Sequence, residues 1–343
     1  MNDGKKTAVV IGGGPAGIEA ALKIGQAGFH AVLVEKEAEL GGTLKQLYSS
    51  FPRWENPAEL LDHAISQLHD CARVTVMPLS SVQSAGRDGQ GFHITIQDGS
   101  QGDTKQIQAD AVVLATGFEL MDLSIYGEYG YGIYPEVVNA LQFEARLKEW
   151  GQGKGKAPKG VALFKCVGSR DRSKGNPYCS KICCMYTAKQ AGLVKDMFPE
   201  AKVYVFYMDY RAAGKEYEEF VRDVIEKKHV RYVRGRPAKV LGENGRLLVR
   251  AEDTLVGIPI EVAVDVVVLA SASVPRPGTA ALAAMFGAPV DEYGFIEHDR
   301  FDPMKAADRV FFAGGCGFPL ETPLARQQGA AAAADVIALF SER

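Results

Sequence analysis

The sequence predicts an α/β protein of two domains, the second inserted into the first. Three observations carry this reading. At 343 residues the chain exceeds the size at which a single hydrophobic core stops growing. A strand, a glycine turn, a helix and a second strand run from Thr7 to Glu35, and another strand and helix series begins at Val161. Near the end, a strand at Val310 to Ala313 and a long helix at Thr322 to Phe340 read as a return to the first domain, giving 1–120 with 285–343 as one domain and 121–284 as the insertion.

Taken in order, Thr7 to Ile11 is a short apolar run ending in glycines, Pro15 to Ala27 has helical periodicity, and Ala31 to Glu35 has the pattern of a buried strand. Pro57 to Leu68 reads as an amphipathic helix. Strands follow at Val74 to Met77 and Phe92 to Ile96, and a hairpin turn at Asp98 to Lys105. Ala111 to Ala115 is again continuously apolar, and the chain changes character towards Gly127, Gly130 and Gly132, where a domain crossing is expected. Glu136 to Trp150 is read as a helix and GQGKGKAPKG as a flexible connector before the strand Val161 to Lys165. A helix from about Cys179 to Phe198, a strand at Val203 to Tyr207, a charged helix at Glu216 to Lys228 and strands up to Val266 to Ala270 complete the insertion.

The composition, 47% hydrophobic and 24% charged, is that of a globular protein with no low-complexity tract. A net charge of -3 gives no basic stripe, so nucleic acid is not an expected partner. The apolar stretch Gly329 to Phe340 is interrupted by Asp335 and is too short to span a bilayer. The start runs directly into a strand with no room for a signal peptide, so the expected location is cytoplasmic. In that reducing compartment six cysteines, four of them clustered, point to metal or redox chemistry rather than to disulfides. The six histidines show no ligand spacing and receive no role.

In VVIGGGPAGIEA, Gly12, Gly14 and Gly17 follow a strand, and Pro15 and Ala16 open a helix. Gly12 permits the tight turn, Gly14 lets a pyrophosphate approach the backbone, and Gly17 allows close helix packing. The helix start supplies N–H donors and positive potential. Glu35, followed by Lys36, ends the next strand, where a carboxylate can accept hydrogen bonds from ribose hydroxyls. Gly42, with Thr43 and Leu44 after it, allows a second close approach of backbone to a cofactor.

Cys166, Cys179, Cys183 and Cys184 fall within nineteen residues. Twelve residues separate the first pair, three the second, and none the third, so no C-x-x-C dithiol exists among them. Adjacent cysteines do not easily close a disulfide, but both can reach one metal centre. Converging thiolates suit an iron-sulfur cluster or zinc, and inert buried thiols are the remaining alternative.

The glycine fingerprint with Glu35, the VVLATG run holding Ala115, Thr116 and Gly117, and the late VFFAGGCG run before a helix resemble the two-dinucleotide-binding-domain flavoproteins of the thioredoxin-reductase-like group. That resemblance implies FAD. It also places Gly315, Cys316, Thr322 and Pro323 near the flavin, although an aspartate usual in the late run is replaced here by Gly315 and Cys316. The second domain lacks its own glycine fingerprint: the strand Val161 to Lys165 leads to CVGSRDRSKGN, where Gly168 and Gly175 are too far apart.

The groups C-V-G-S-R and Y-C-S-x-x-C-C-M-Y, with K-Q-A after them, closely resemble the flavoprotein A subunit of heterodisulfide reductase. The resemblance implies that Cys166, Cys179, Cys183 and Cys184 ligate a 4Fe-4S cluster near FAD, and that Lys189 lies close to the isoalloxazine ring as a catalytic residue; read from the helix alone, Lys189 would face solvent. Phe51 and Pro52 also resemble the family, but the cysteines that follow in larger methanogenic subunits are absent after them, as is any ferredoxin-like run. The compact form is similar to heterodisulfide-reductase-like A subunits of sulfur-oxidising bacteria. The precedent implies a homodimer working with further redox subunits.

The expected function is therefore an oxidoreductase subunit passing electrons between FAD and a cluster in cytoplasmic sulfur oxidation. The alternatives are a pyridine-nucleotide-dependent disulfide reductase and the A subunit of a quinone-interacting oxidoreductase complex.

Overall fold

The computed structural model describes residues 6–89, 91–99 and 102–342. They form two compact units: one holds the residues up to Lys45, Pro57–Glu119 and the chain from Val274 onward, the other Gln46–Asn56 and Leu120–Ser273. The architecture is the expected mixed α/β arrangement.

In the first unit a sheet runs in the order Lys305–Ala307, Val310–Phe312, Ala111–Leu114, Thr7–Ile11, His30–Val34, Val74–Met77. All neighbours are parallel except the first pair. Because the chain leaves Thr7–Ile11 for strands on one side and returns on the other at Ala111–Leu114, a topological switch lies at the carboxyl ends of these two central strands, where open α/β sheets bind ligands. Alternate residues Val9, Ile11, Val32, Val34, Val112 and Leu114 pack with Phe92, Ile94 and Ile96 of a three-stranded antiparallel sheet. That sheet consists of Ser80–Asp88, Gly91–Asp98 and Asp103–Ala109; the expected hairpin turn includes Ser100 and Gln101, which lie outside the described residues. The helices Pro15–Gln26 and Thr322–Ser341 approach closely: a Cβ on Gly329 would come within 2.2 Å of the Ala16 carbonyl oxygen. Arg326 grips Glu19 between them, at 2.9 and 2.8 Å.

The second unit repeats the plan. Its parallel sheet runs Arg231–Arg234, Lys202–Tyr207, Gly160–Val167, Val266–Ser271, Val137–Asn139, and a three-stranded antiparallel sheet, Lys239–Glu243 with Arg246–Asp253 and Ile258–Val264, accompanies it. Its core gathers Leu163, Val203, Val205 and Val268 with Phe143, Ala188, Val194 and Phe220.

Three local expectations change. The helix expected from Glu136 is preceded by the strand Val137–Asn139, and begins at Ala140 because Asn139 and Gln142 form a reciprocal capping box. The helix expected from Cys179 begins at Cys183. The crossings lie at 119/120 and 273/274, where the sequence set them at 120/121 and 284/285, and residues Gln46–Asn56 group with the second unit. Their aromatic side chains explain the excursion: Trp54 packs against Phe220 at 4.8 Å between ring centroids and Phe51 against Tyr217 at 5.9 Å.

Candidate functional site

The fingerprint loop of the first unit is shaped by what cannot fit in it. Gly12 has φ +111°, and a Cβ there would lie 2.3 Å from the Ala115 carbonyl oxygen; one on Gly17 would lie 1.9 Å from the Gly12 carbonyl oxygen. A Cβ on Gly14 would meet nothing within 4 Å, so bare backbone there faces open space at the start of the helix Pro15–Gln26. Gly42, φ +52°, brings a second loop across it: a Cβ on Gly42 would sit 3.2 Å from the Gly14 Cα. Thr43 and the buried Leu44 continue that loop as a 3-10 turn.

Glu35 is 7% exposed and braces the loop from within, accepting from the Gly13 N–H at 2.6 Å and the Glu37 N–H at 2.8 Å. Gly13 has no part in the fingerprint as a motif; only the fold brings its N–H to this carboxylate. Lys36 is exposed, with Glu37 at 4.0 Å. The Ala115 N–H pairs with Ile11, the Thr116 hydroxyl meets that of Thr279 at 3.3 Å, and Gly117 turns with φ +74°. A Cβ on Gly315 would strike the Phe118 ring, and Thr322 and Pro323 open the last helix. Cys316 is fully buried, its S–H shared between the carbonyls of Leu114 and Ala313 at 3.3 Å each, and burial pushes its thiol up to about 11; it is a packed, protonated side chain. Tight turn, open backbone and helix start together fit a dinucleotide such as FAD.

The corresponding loop of the second unit is built from side chains. After the strand Gly160–Val167, Arg170 donates its N–H to the Tyr178 carbonyl, Asp171 and Asn176 bridge, and the Ser169 and Ser180 hydroxyls bond to each other. Asp171 accepts from the backbone and hydroxyl of Ser173, from Tyr126 at 3.0 Å and from Arg236 at 3.1 Å. The Ser173 hydrogen bond, with smaller help from Arg236 and Tyr126, holds its carboxyl down to about 2.

This loop carries the thiols. Cys166 sits at φ +59°, a left-handed conformation costly for a residue with a Cβ, where the pairing register shifts between Phe164 and Val167. Cys183 and Cys184 are the first two residues of the helix Cys183–Met197. The Cys183 thiol hydrogen-bonds with both Cys166 and Cys184, and all three are buried. Each thiol's protonation state changes the interaction felt by its neighbours, so the trio titrates together. Hydrogen bonding to Cys183 lowers Cys166 and brings Cys184 down to about 5, while Cys183, the donor, is raised. Backbone N–H groups of Arg211 and Lys181 point at the sulfurs of Cys184 and Cys179, at 3.2 and 3.4 Å, and Arg170 is within electrostatic reach of Cys166 and Cys179.

Among the described residues no group of three or more His, Cys, Asp or Glu side chains is spaced to hold a metal ion. A metal centre would have to part sulfurs that here touch one another. The donor chemistry nonetheless suits one: soft ligands, N–H groups aimed at sulfur, and the buried Tyr186 hydroxyl with no hydrogen-bond partner. Burial pushes that hydroxyl's pKa up, and the neighbouring sulfurs of Cys183, Cys166 and Cys184 add to the shift.

Lys189 is 1% exposed, which rules out the solvent-facing reading. Its ammonium pairs with Glu144 at 2.7 Å and donates to the Ser49 carbonyl at 2.8 Å. Glu144 also accepts from Gln190 at 2.6 Å and from the Tyr48 N–H at 2.9 Å, so this cluster ties Gln46–Asn56 to the rest of its unit. Burial lowers the Lys189 pKa and Glu144 opposes that shift. Glu144 and Ser49 carried no sequence signal, because only tertiary packing brings them to Lys189.

Residues 6–156 match the family described as pyridine nucleotide-disulphide oxidoreductase. The chain is 30% identical, over 95% of its own length and 63% of the relative's, to the second iron-sulfur A subunit of the CoB--CoM heterodisulfide reductase of Methanopyrus kandleri. A similar match, 30% over 96% of this chain and 64% of the relative, is to the iron-sulfur A subunit of the CoB--CoM heterodisulfide reductase of Methanocaldococcus jannaschii. The chain thus spans just under two thirds of the length of these relatives. Among solved structures, thioredoxin reductase of T. acidophilum aligns with TM-score 0.67 and 17% identity over 97% of this chain and 99% of that one. The Lactococcus lactis thioredoxin reductase gives 0.67 and 18% over 99% and 100%. The chain has the two-dinucleotide-binding-domain architecture of thioredoxin reductases and is similar, over 95% of its own length, to the heterodisulfide reductase A subunit.

Proposed function

We propose that the chain is an oxidoreductase subunit that carries FAD in its first unit and a 4Fe-4S cluster on Cys166, Cys179, Cys183 and Cys184 in its second, and passes electrons to further redox subunits of a heterodisulfide-reductase-like complex. The absence of cysteines among Arg53, Trp54, Glu55 and Asn56, directly after Phe51 and Pro52, favours a setting in cytoplasmic sulfur oxidation. The observation that carries the reading is the replacement of a second glycine fingerprint by buried thiols at the same strand-to-helix turn.

FAD would supply two-electron chemistry and the cluster one-electron chemistry. The protein's own part is to hold them. Gly12, Gly14 and Gly17 open the backbone to a pyrophosphate, Glu35 fixes the loop while keeping lone pairs for ribose hydroxyls, and the cysteine loop shields Cys166, Cys183 and Cys184 from water while Cys179 is partly exposed. Self-association as a homodimer belongs to the same proposal, and sedimentation of the purified protein measures it.

Anaerobic purification with iron, sulfide and flavin quantification tests the cofactors. Cys183→Ala and Cys184→Ala should each lose iron and keep flavin; variants with full iron and sulfide would refute the ligand assignment. A pyridine-nucleotide-dependent disulfide reductase remains the second reading, favoured by the match over residues 6–156. Stopped-flow mixing with NADH or NADPH separates the two, since rapid flavin bleaching at low nucleotide concentration belongs to the second.

A further inference from the structure

Lys165, immediately before Cys166 on the strand Gly160–Val167, is 6% exposed, and no carboxylate pairs with it among the described residues. Its ammonium donates to the Asp209 carbonyl at 3.2 Å. It lies 5.4, 5.8 and 5.9 Å from the ring centroids of Tyr207, Tyr210 and Tyr232, a three-tyrosine cage that solvates a cation by its π faces and holds it still. The Asp209 carboxylate is engaged elsewhere, with Arg170 at 2.6 Å and Arg211 at 3.9 Å.

A buried ammonium without an anion is costly, and carbonyl and ring contacts offset only part of that cost. The anionic chemistry within reach is sulfur: Lys165 directly precedes Cys166 on its strand, and its positive charge acts on both Cys184 and Cys166, favouring their thiolates. The Arg211 N–H donates to the Cys184 sulfur at 3.2 Å. The buried Tyr232 hydroxyl, without a partner, belongs to the same cage.

We infer that Lys165 is a positioning residue whose caged positive charge stabilises an anionic sulfur-ligated centre at Cys184 and Cys166 and raises its reduction potential. The inference rests on the proposed cluster. Physically, a fixed cation beside a ligand sulfur favours the more electron-rich state of the centre, and the tyrosine cage keeps water from screening it.

The test compares wild type, Lys165→Met and Lys165→Arg, all purified anaerobically, by iron and sulfide content, flavin content and a dithionite redox titration followed by electron paramagnetic resonance. Lys165→Met should keep its flavin and shift the cluster's midpoint to lower potential, and Lys165→Arg should restore most of the shift. If Lys165→Met loses iron, retention of iron at near wild-type potential in Lys165→Arg still supports a charge role; equal loss in both would reduce Lys165 to packing and overturn it. An iron-replete Lys165→Met with an unmoved midpoint would overturn it directly. Wild type without iron and sulfide would instead remove the cluster, and this inference with it.

Discussion

The two strand-to-helix turns of this molecule stand at equivalent places and solve different problems. In the first unit the strand Thr7–Ile11 passes through Gly12, Gly13 and Gly14 straight into the helix Pro15–Gln26, and the turn offers bare backbone. In the second, Gly160–Val167 is followed by a longer loop before the helix Cys183–Met197, and the turn offers sulfur, wrapped in a polar network of serines, Asp171 and Arg236. An amide-lined cradle needs the absence of side chains, whereas a thiol site needs many of them held in place. The first is therefore sensitive to added atoms and the second to removed ones.

The largest effect tests the second half of that contrast. Glu144→Gln or Lys189→Met leaves one buried charge of the pair uncompensated, and the loss should be about 3–5 kcal/mol in urea unfolding. A change under about 1 kcal/mol would show that this unit does not depend on the cluster joining Gln46–Asn56 to Glu144.

The next pair addresses the first half. Gly17→Ala drives a Cβ into the Gly12 carbonyl, a backbone atom that cannot swing away, and should cost about 1–3 kcal/mol together with flavin binding. Gly14→Ala meets no protein atom, so thermal unfolding of the flavin-free protein should stay within about 0.5 kcal/mol of wild type while flavin retention falls. Equal flavin content in Gly14→Ala and wild type would mean that the open space at Gly14 is not where the cofactor's phosphates approach.

The smallest effect is one of pH. The Asp171 carboxyl stands at about 2 against an ordinary value of 3.8, so its stabilisation is complete above 3.8 and is lost as the pH falls towards 2. The urea midpoints of wild type and Asp171→Asn should therefore differ by a constant amount at neutral pH and converge across that acidic window. A gap that persists at the acidic end would assign the network's stability to Arg236 and Tyr126 without the carboxylate.

Much of this contrast was legible in the chain. Strands such as Val74–Met77 and the glycine turn announce themselves through short-range patterns, and the missing second fingerprint is visible as plain spacing. What stayed hidden depends on distance in sequence. Lys189 reads as one more helical lysine until Glu144 and Ser49 arrive from remote segments, and Lys165 reads as a strand residue until Tyr207, Tyr210 and Tyr232 close around it. Asn139 held a capping signal that helical periodicity from Glu136 overrode. The excursion of Gln46–Asn56 was obscured because no composition shift marks it, only the aromatic contacts of Phe51 and Trp54.

That excursion bears on the order in which the protein is made. Every residue of the thiol-bearing unit has left the ribosome's catalytic centre once Ser273 is joined, while the glycine-turn unit still awaits its strand Val310–Phe312 and its long helix Thr322–Ser341. During translation the inserted unit can thus close around its sulfurs first, and the nascent strand Ala111–Leu114 must wait, unpaired along one edge, for Val310–Phe312, which is synthesised last.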